Sequence, residues 1–311
     1  MLSRRQWLSN SGRLLALSAV ASIMPTSASS LSPRSEMFFD ISLAQWSMHR
    51  QLKAGQLKPL DFPIKTQKVF DIYAVEYVSQ FFLGKANNRN FLTALKTRAD
   101  DHGVQSLLIM VDAEGHLGAP DMAQRGRAVE NHYKWVEAAK YLGCHSIRVN
   151  VAGVGSGVEV QKAGADSLTR LAEFARDFDI NIIVENNKGY AANGKWMTDG
   201  PSANGKWLVD LLRDVGMPNC GALPDFGNFV DYDRYQGVRE LMPYALGVSA
   251  KSLAFDTDGN ETDTDFLKML TIIKQAKYTG YIGIEYEGAG DEDAGILATK
   301  NLLIKYGQLL S

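Results

Sequence analysis

Short aliphatic runs alternate along the chain with longer stretches of amphipathic spacing, and most of the short runs stop at a charged or amide residue. The clearest is Ile182-Ile183-Val184-Glu185-Asn186-Asn187. A continuous apolar run is the pattern of a parallel strand buried on both faces, so an acid where it stops marks the strand's C-terminal mouth. The same reading predicts strands over 38–46, 73–78, 106–112, 145–151, 221–225, 245–251 and 281–285. Helical spacing fills the intervals. It predicts helices over 62–70 with Asp61 as N-cap, 91–102, 121–142 closed by Gly143, and 167–178. Further helices follow over 207–215 (ended by Gly216 and Pro218), 238–242, 266–277 and 294–309.

Eight strands alternating with helices through short connections imply parallel βαβ units. That number suggests a closed (β/α)8 TIM barrel, a single α/β domain over 36–311. The rival is an open doubly wound sheet. No G-x-G-x-x-G occupies the first strand–helix turn, and Gly153-Val154-Gly155-Ser156-Gly157 has a different spacing.

The first 30 residues read as something other than fold. Ser3-Arg4-Arg5-Gln6-Trp7-Leu8 precedes a modestly apolar run over 14–24 and the small residues Thr26-Ser27-Ala28. Charged start, short apolar core and small-residue end make a signal peptide over 1–30, and the paired arginines suit the twin-arginine route. A periplasmic or secreted location is therefore expected, with no permanent membrane anchor. One pentapeptide recurs: Ala192-Asn193-Gly194-Lys195-Trp196 returns as Ala203-Asn204-Gly205-Lys206-Trp207. It reads as a tandem duplication in the loop after the fifth strand, lengthening a lid or wall beside Glu185.

Composition narrows the partners. With 311 residues and 45% hydrophobic content the chain can bury a large core, and a formal charge of −2 offers no field to attract nucleic acid. A small-molecule partner is expected, and a homo-oligomer is left open. Cys144 and Cys220 are assigned to the fourth and sixth strands, about 10 Å apart across an intervening strand. That exceeds the roughly 7 Å a disulfide spans, so two buried free thiols are expected.

In a barrel, chemistry sits at the C-terminal strand ends. That selects Glu76, Asp112, Arg148, Asn150, Glu185, Asp225, Lys251, Glu285 and Glu287. Side-chain alternation places Glu285 and Glu287 on the face of Gly283, with Ile282 and Ile284 toward the helices. Carboxylates converging on one mouth need a counter-charge. A divalent cation held by Glu185, Asp225 and Glu285 supplies one, and Lys251 supplies another. The histidines make no ligand set: His102, His132 and His145 read as structural or surface residues, while His49 and His116 fall on the active face.

Val184-Glu185-Asn186-Asn187, Leu223-Pro224-Asp225-Phe226-Gly227-Asn228-Phe229, Val248-Ser249-Ala250-Lys251 and Ile284-Glu285-Tyr286-Glu287-Gly288 resemble the sugar phosphate isomerase/epimerase family of xylose isomerase-like TIM barrels. The likeness extends over Trp135 to Asn150 and most of the remaining chain. It implies one divalent metal on Glu185, Asp225 and Glu285, and a proton shuttle between Glu185 and Glu285 with Lys251 as a third catalytic group. Arg148, Asn150, Glu76, Asn187, Asn228 and Glu287 would bind substrate. This chain departs from the family at Ser249, Asn187 and Asn228, where histidine is common. Oxygen donors without imidazole shift the expected metal toward Mn²⁺ or Mg²⁺, with Zn²⁺ still admitted. The expected activity is a sugar isomerase or epimerase working through an enediolate. A lyase or dehydratase acting on keto-sugars by β-elimination, and a non-catalytic sugar-binding barrel, are the rivals.

Overall fold

The computed structural model describes residues 37–187 and 200–311. Within them eight strands form one curled parallel sheet: β1 Asp40–Ala44, β2 Ala74–Val78, β3 Gln105–Met110, β4 Ser146–Val149, β5 Asn181–Glu185, β6 Cys220–Leu223, β7 Val248–Ser252 and β8 Tyr281–Tyr286. Regular pairing runs from β6 through β1 to β8 and β7. The seam between β6 and β7 closes differently, through isolated bridges Ala222–Ala245 and Asp225–Ser249. Pro224 explains the irregularity, because it has no N–H to donate to a ladder. Its carbonyl accepts from Ser249 N at 2.9 Å and Phe226 N donates to Ser249 O at 3.1 Å, which completes the circle. The result is the (β/α)8 barrel that the sequence predicts.

Helices α1 His49–Lys53, α2 Phe62–Phe70, α3 Arg89–Asp101, α4 Met122–Leu142, α5 Gly157–Arg176, α6 Gly205–Val215, α7 Arg234–Leu241, α8 Phe266–Gln275 and α9 Glu292–Leu309 surround the sheet. Alternation along each strand divides the core. Ile182, Val184, Ile282 and Ile284 face the helices in a large outer cluster, while Ala44, Val78, Leu108, Met110, Ile183 and Leu223 fill the barrel's interior. Trp135 of α4 anchors the outer layer, fully buried, edge-on to Phe82 and donating its indole N–H to Glu114 at 2.6 Å. Truncating such a residue to Ala costs roughly 3–5 kcal/mol.

Three local expectations need correction. The helix expected from Ser167 begins ten residues earlier, at Gly157. Ser156 and Glu159 form a reciprocal capping box that starts it, and Gly164 is a packing glycine: a Cβ there would sit 2.6 Å from Val151 Cγ1. Asp61 stands at the start of α2 without capping it; its carboxylate instead takes Arg98 Nη1 at 2.7 Å. The second copy of the repeated pentapeptide is no lid. Asn204 accepts from Trp207 N and caps α6, Gly205 opens the helix, and Trp207 donates to Gly157 O. The first copy, like residues 1–36, lies outside the described residues. Cys144 and Cys220 are both buried and free. Among the described residues no helix is long and apolar enough to cross a membrane.

Candidate active site

Three strand ends converge at the C-terminal mouth. Glu185 ends β5, Asp225 follows β6 by two residues, and Glu285 lies one residue from the end of β8. Each of the three offers a carboxylate oxygen within 4.8 Å of the others, and all three are buried. The placement is local geometry: Glu185 and Glu285 sit at inward positions beside outward-facing Val184 and Ile284. Asp225 is fixed by Asn186, which donates Nδ2 to the Asp225 carbonyl at 3.0 Å and accepts from Asp225 N at 2.7 Å. Gly227 N and Asn228 N both donate to Asp225 Oδ1 at 2.8 Å.

Two cations are built into the same cluster. Arg148 on β4 donates Nη1 to Asp112 Oδ1 at 2.8 Å and lies with Nε 3.2 Å from Glu185 Oε2. Lys251 on β7 brings Nζ to 3.2 Å from Glu285 Oε1, 3.2 Å from Glu287 Oε2 and 3.9 Å from Asp225 Oδ2. Its stem fills the space over Gly227, where a Cβ would meet Lys251 Cδ at 2.8 Å. Asn228 Nδ2 and Asn187 Nδ2 donate to the two oxygens of Glu185 at 3.2 and 3.4 Å. Asn150 Nδ2 reaches Asp112 Oδ1 at 2.8 Å beside Arg148.

The electrostatics follow from burial. Burial pushes the Glu185 carboxyl above the usual range; Arg148 opposes this, while Glu285 and Asp225 add to it. Burial likewise raises Asp225 against the pull of Lys251, with Glu285 adding to the rise. Burial works against the charge on Lys251, yet Asp225, Glu285, Glu287 and Glu185 outweigh it and hold the ammonium firmly protonated. Arg148 is stabilised in the same way by Asp112, Glu185 and Glu285. Lys251 is therefore a fixed positive charge and not a proton acceptor. Glu287 is half-buried, which works against its charge, but Lys251 and the Trp46 indole hold it below the ordinary range.

Of the residues selected from sequence, Arg148, Asn150, Glu185, Asn187, Asp225, Asn228, Lys251, Glu285 and Glu287 share this one network. Glu76 does not join it by any hydrogen bond; it points into the barrel and accepts from Ser42 Oγ at 2.7 Å. The structure adds residues the sequence reading left out of the site. Ser249 Oγ lies 2.7 Å from Asp225 Oδ2 and 2.8 Å from Glu285 Oε2, bridging two of the triad. Trp46, just past β1, holds Glu287, and Gln80 supports Asp112 at 3.0 Å. Alternation from Lys251 could have found Ser249, two residues back on the same face. Trp46 and Gln80 stand in 3-10 turns, which carry no such period. His132 is buried and spends Nδ1 on Ala128 O at 2.7 Å, and His49 uses Nδ1 on Trp46 O at 2.8 Å.

Five acids, Asp112, Glu185, Asp225, Glu285 and Glu287, thus surround the cations Arg148 and Lys251. The surplus negative charge and the three converging oxygens of Glu185, Asp225 and Glu285 fit a divalent cation. Fold and site together define a (β/α)8 barrel with a buried acidic centre at its C-terminal mouth. The chain belongs to the xylose isomerase-like TIM barrel family, whose model matches residues 72–306. Solved structures of the same fold include an IolI protein with a bound zinc atom, at 12% identity and TM-score 0.69, covering 86% of this chain and 98% of that one. A D-tagatose 3-epimerase-like protein matches at 17% identity and TM-score 0.64, covering 88% and 98%. An L-ribulose 3-epimerase matches at 15% identity and TM-score 0.65, covering 88% and 95%. No curated protein matches the sequence significantly.

Proposed function

We propose that this protein is a metal-dependent isomerase or epimerase of an unphosphorylated carbohydrate, acting by α-proton abstraction through an enediolate. The observation that carries the reading is the buried convergence of Glu185, Asp225 and Glu285 within 4.8 Å, on three strand ends of a family barrel. A divalent cation held there would polarise a substrate carbonyl and its neighbouring hydroxyl. All three donors are carboxylates, which favours Mn²⁺ or Mg²⁺ over Zn²⁺. The epimerase neighbours support the reaction class, and a signal peptide over 1–30, expected from the sequence alone, would put that work outside the cytoplasm.

The chain's own groups divide the labour. Glu185 would take the α-proton as general base, the held cation keeping its carboxylate ionised against the burial that otherwise raises it. Arg148, Asn187 and Asn228 keep its carboxyl oriented. Glu285 is the second carboxylate, and the fixed ammonium of Lys251 offsets negative charge developing on the enediolate oxygens. Both described cations of the site are already held by carboxylates, which favours a neutral keto- or aldo-sugar over a sugar phosphate.

The test is hydrogen exchange at the α-carbon. The Mn²⁺-loaded protein is incubated in D2O with D-tagatose, D-psicose, D-fructose and L-ribulose, and products are followed by NMR and mass. Solvent deuterium should enter the α-position, and Glu185→Gln and Glu285→Gln should each reduce entry about 10²–10⁴-fold. Exchange retained in both variants sinks the mechanism. A product that has lost mass marks elimination instead.

A further inference from the structure

The end of the barrel opposite the acidic centre is open. Between the strand N-termini lies a cavity of about 370 Å³, lined by Glu76, Leu108, His145, Leu246, Thr279 and Tyr281 among others. Glu76 is the one carboxyl among its described lining residues. Alternation along β2 turns it inward, with Val75 and Tyr77 facing the helices and Val78 filling the interior. The partner strand carries the irregularity: Val75 pairs with Ser106 and Glu76 with Leu108, so Leu107 is an extra residue on β3 and joins Leu108 in the cavity lining. Across the barrel Gly283 leaves the room that the carboxylate takes, since a Cβ there would lie 2.3 Å from Glu76 Oε1. Oε1 accepts from Ser42, but Oε2 is buried with no hydrogen-bond partner among the described residues. A buried carboxyl oxygen left unpaired costs about 1–3 kcal/mol, so the site calls for a donor that none of the described residues supplies.

We propose that the N-terminal mouth of the barrel is a second solvent entrance, a water-binding cavity whose inner end is Glu76, through which that carboxyl exchanges its proton with bulk. The cavity is far larger than the ~10–15 Å³ that one water needs, and its lining carries polar groups as well as apolar ones. Water reaching Oε2 supplies the missing donor. The charges facing Glu76 come from several elements: Arg148 on β4, Glu285 on β8 and Tyr278 just before β8, with His145 and Lys277 at the cavity wall. Burial raises Glu76 to about 7, against the Ser42 hydrogen bond, and Glu285 and Arg148 act on it in opposite directions. Proton uptake from below changes the charge beneath the acidic centre by one, by a route that a substrate in the upper mouth does not block.

Infrared spectroscopy of the full chain tests this on the acid side of neutrality. A protonated-carboxyl band present in the wild type should vanish in Glu76→Gln, which keeps an oxygen for Ser42 and so should preserve the fold. On transfer to D2O that band should shift quickly in the wild type. It should shift at least tenfold more slowly in Thr279→Trp, an exposed rim position, and in Ala245→Phe, a second plug deeper in the lining. No band lost in Glu76→Gln, or wild-type exchange rates in both folded plug variants, overturns the proposal.

Discussion

The Lys251 ammonium lies 3.2 Å from Glu285 Oε1, inside the cluster that would hold a divalent ion. It is held in place by Gly227 beneath its stem and by Glu287 on its far side. An internal cation of this kind competes with an external one for the same oxygens. Replacing Lys251 by Met should therefore tighten Mn²⁺ binding about tenfold or more in calorimetric titration, equivalent to ~1.4 kcal/mol. Lys251→Arg keeps the charge and should stay near wild type. Without metal, Lys251→Met should be destabilised by several kcal/mol, because Glu285 and Glu287 lose their counter-charge. Unchanged or weaker Mn²⁺ binding in the Met variant would show that Lys251 does not compete.

The pH dependence of stability follows from the same cluster. Glu185, Asp225 and Glu76 are carboxyls whose folded pKa is raised above the ordinary range, chiefly by burial. Between the unfolded and folded values the native state binds more protons than the unfolded one. Their contribution is thus fully present below the unfolded pKa and is lost as pH rises through the folded value. In chelator, thermal unfolding should move to lower temperature between mildly acidic and mildly alkaline pH. Mn²⁺ should reverse most of that loss, since it stabilises the ionised carboxylates of Glu185 and Asp225. A midpoint that rises with pH across neutrality in chelator contradicts the assignment.

Arg148 offers a direct measure of what buried charge contributes. Its guanidinium is shared between Asp112 Oδ1 and Glu185 Oε2, all three groups being buried. Arg148→Met should cost about 3–5 kcal/mol in chemical denaturation because both acids lose their partner. Combining it with Asp112→Leu should recover part of that loss. The coupling energy of the cycle should fall within roughly 0.5–3 kcal/mol for groups in direct contact. Simple additivity would mean that Asp112 is not what holds Arg148.

The barrel was legible because each strand carries a short apolar run ending in a polar residue, and the fold keeps those ends together. Glu185, Asp225, Glu285 and Lys251 could be chosen on that basis alone. Glu76 was chosen as a strand-end acid, but it stands in the middle of β2, two residues before Val78, so its inward side chain meets Ser42 and the lower cavity and not the acidic centre. Ser249 was visible as a departure from the family, but its bridge between Asp225 and Glu285 depends on the irregular β6–β7 seam. The early start of α5 shows the reverse case. The signal, Ser156 with Glu159 three residues on, was present in the sequence, and the neighbouring glycines hid it.

The β6–β7 seam should also govern when the two thiols become reactive. Cys220 opens β6, whose far edge meets β7 only through the bridges at Ala222 and Asp225. Cys144 lies in the tight turn between α4 and β4, with its N–H on Ala139 O at 2.9 Å, and β4 is laddered on both sides. Both are buried, and burial pushes the Cys220 thiol up to about 12 and Cys144 higher still, so neither should react in the closed barrel. Segments with fewer ladder bonds open at lower free energy. In native buffer with a thiol reagent, Cys220 should label first, located by peptide mass, and Cys144 should follow only near the global unfolding rate. Two thiols should titrate in the denatured chain. Mn²⁺ bound at Asp225, which forms one of the bridges, should slow Cys220 and leave Cys144 unchanged. Equal labelling rates at the two sites, with or without Mn²⁺, would place the weakest point of the barrel away from this seam.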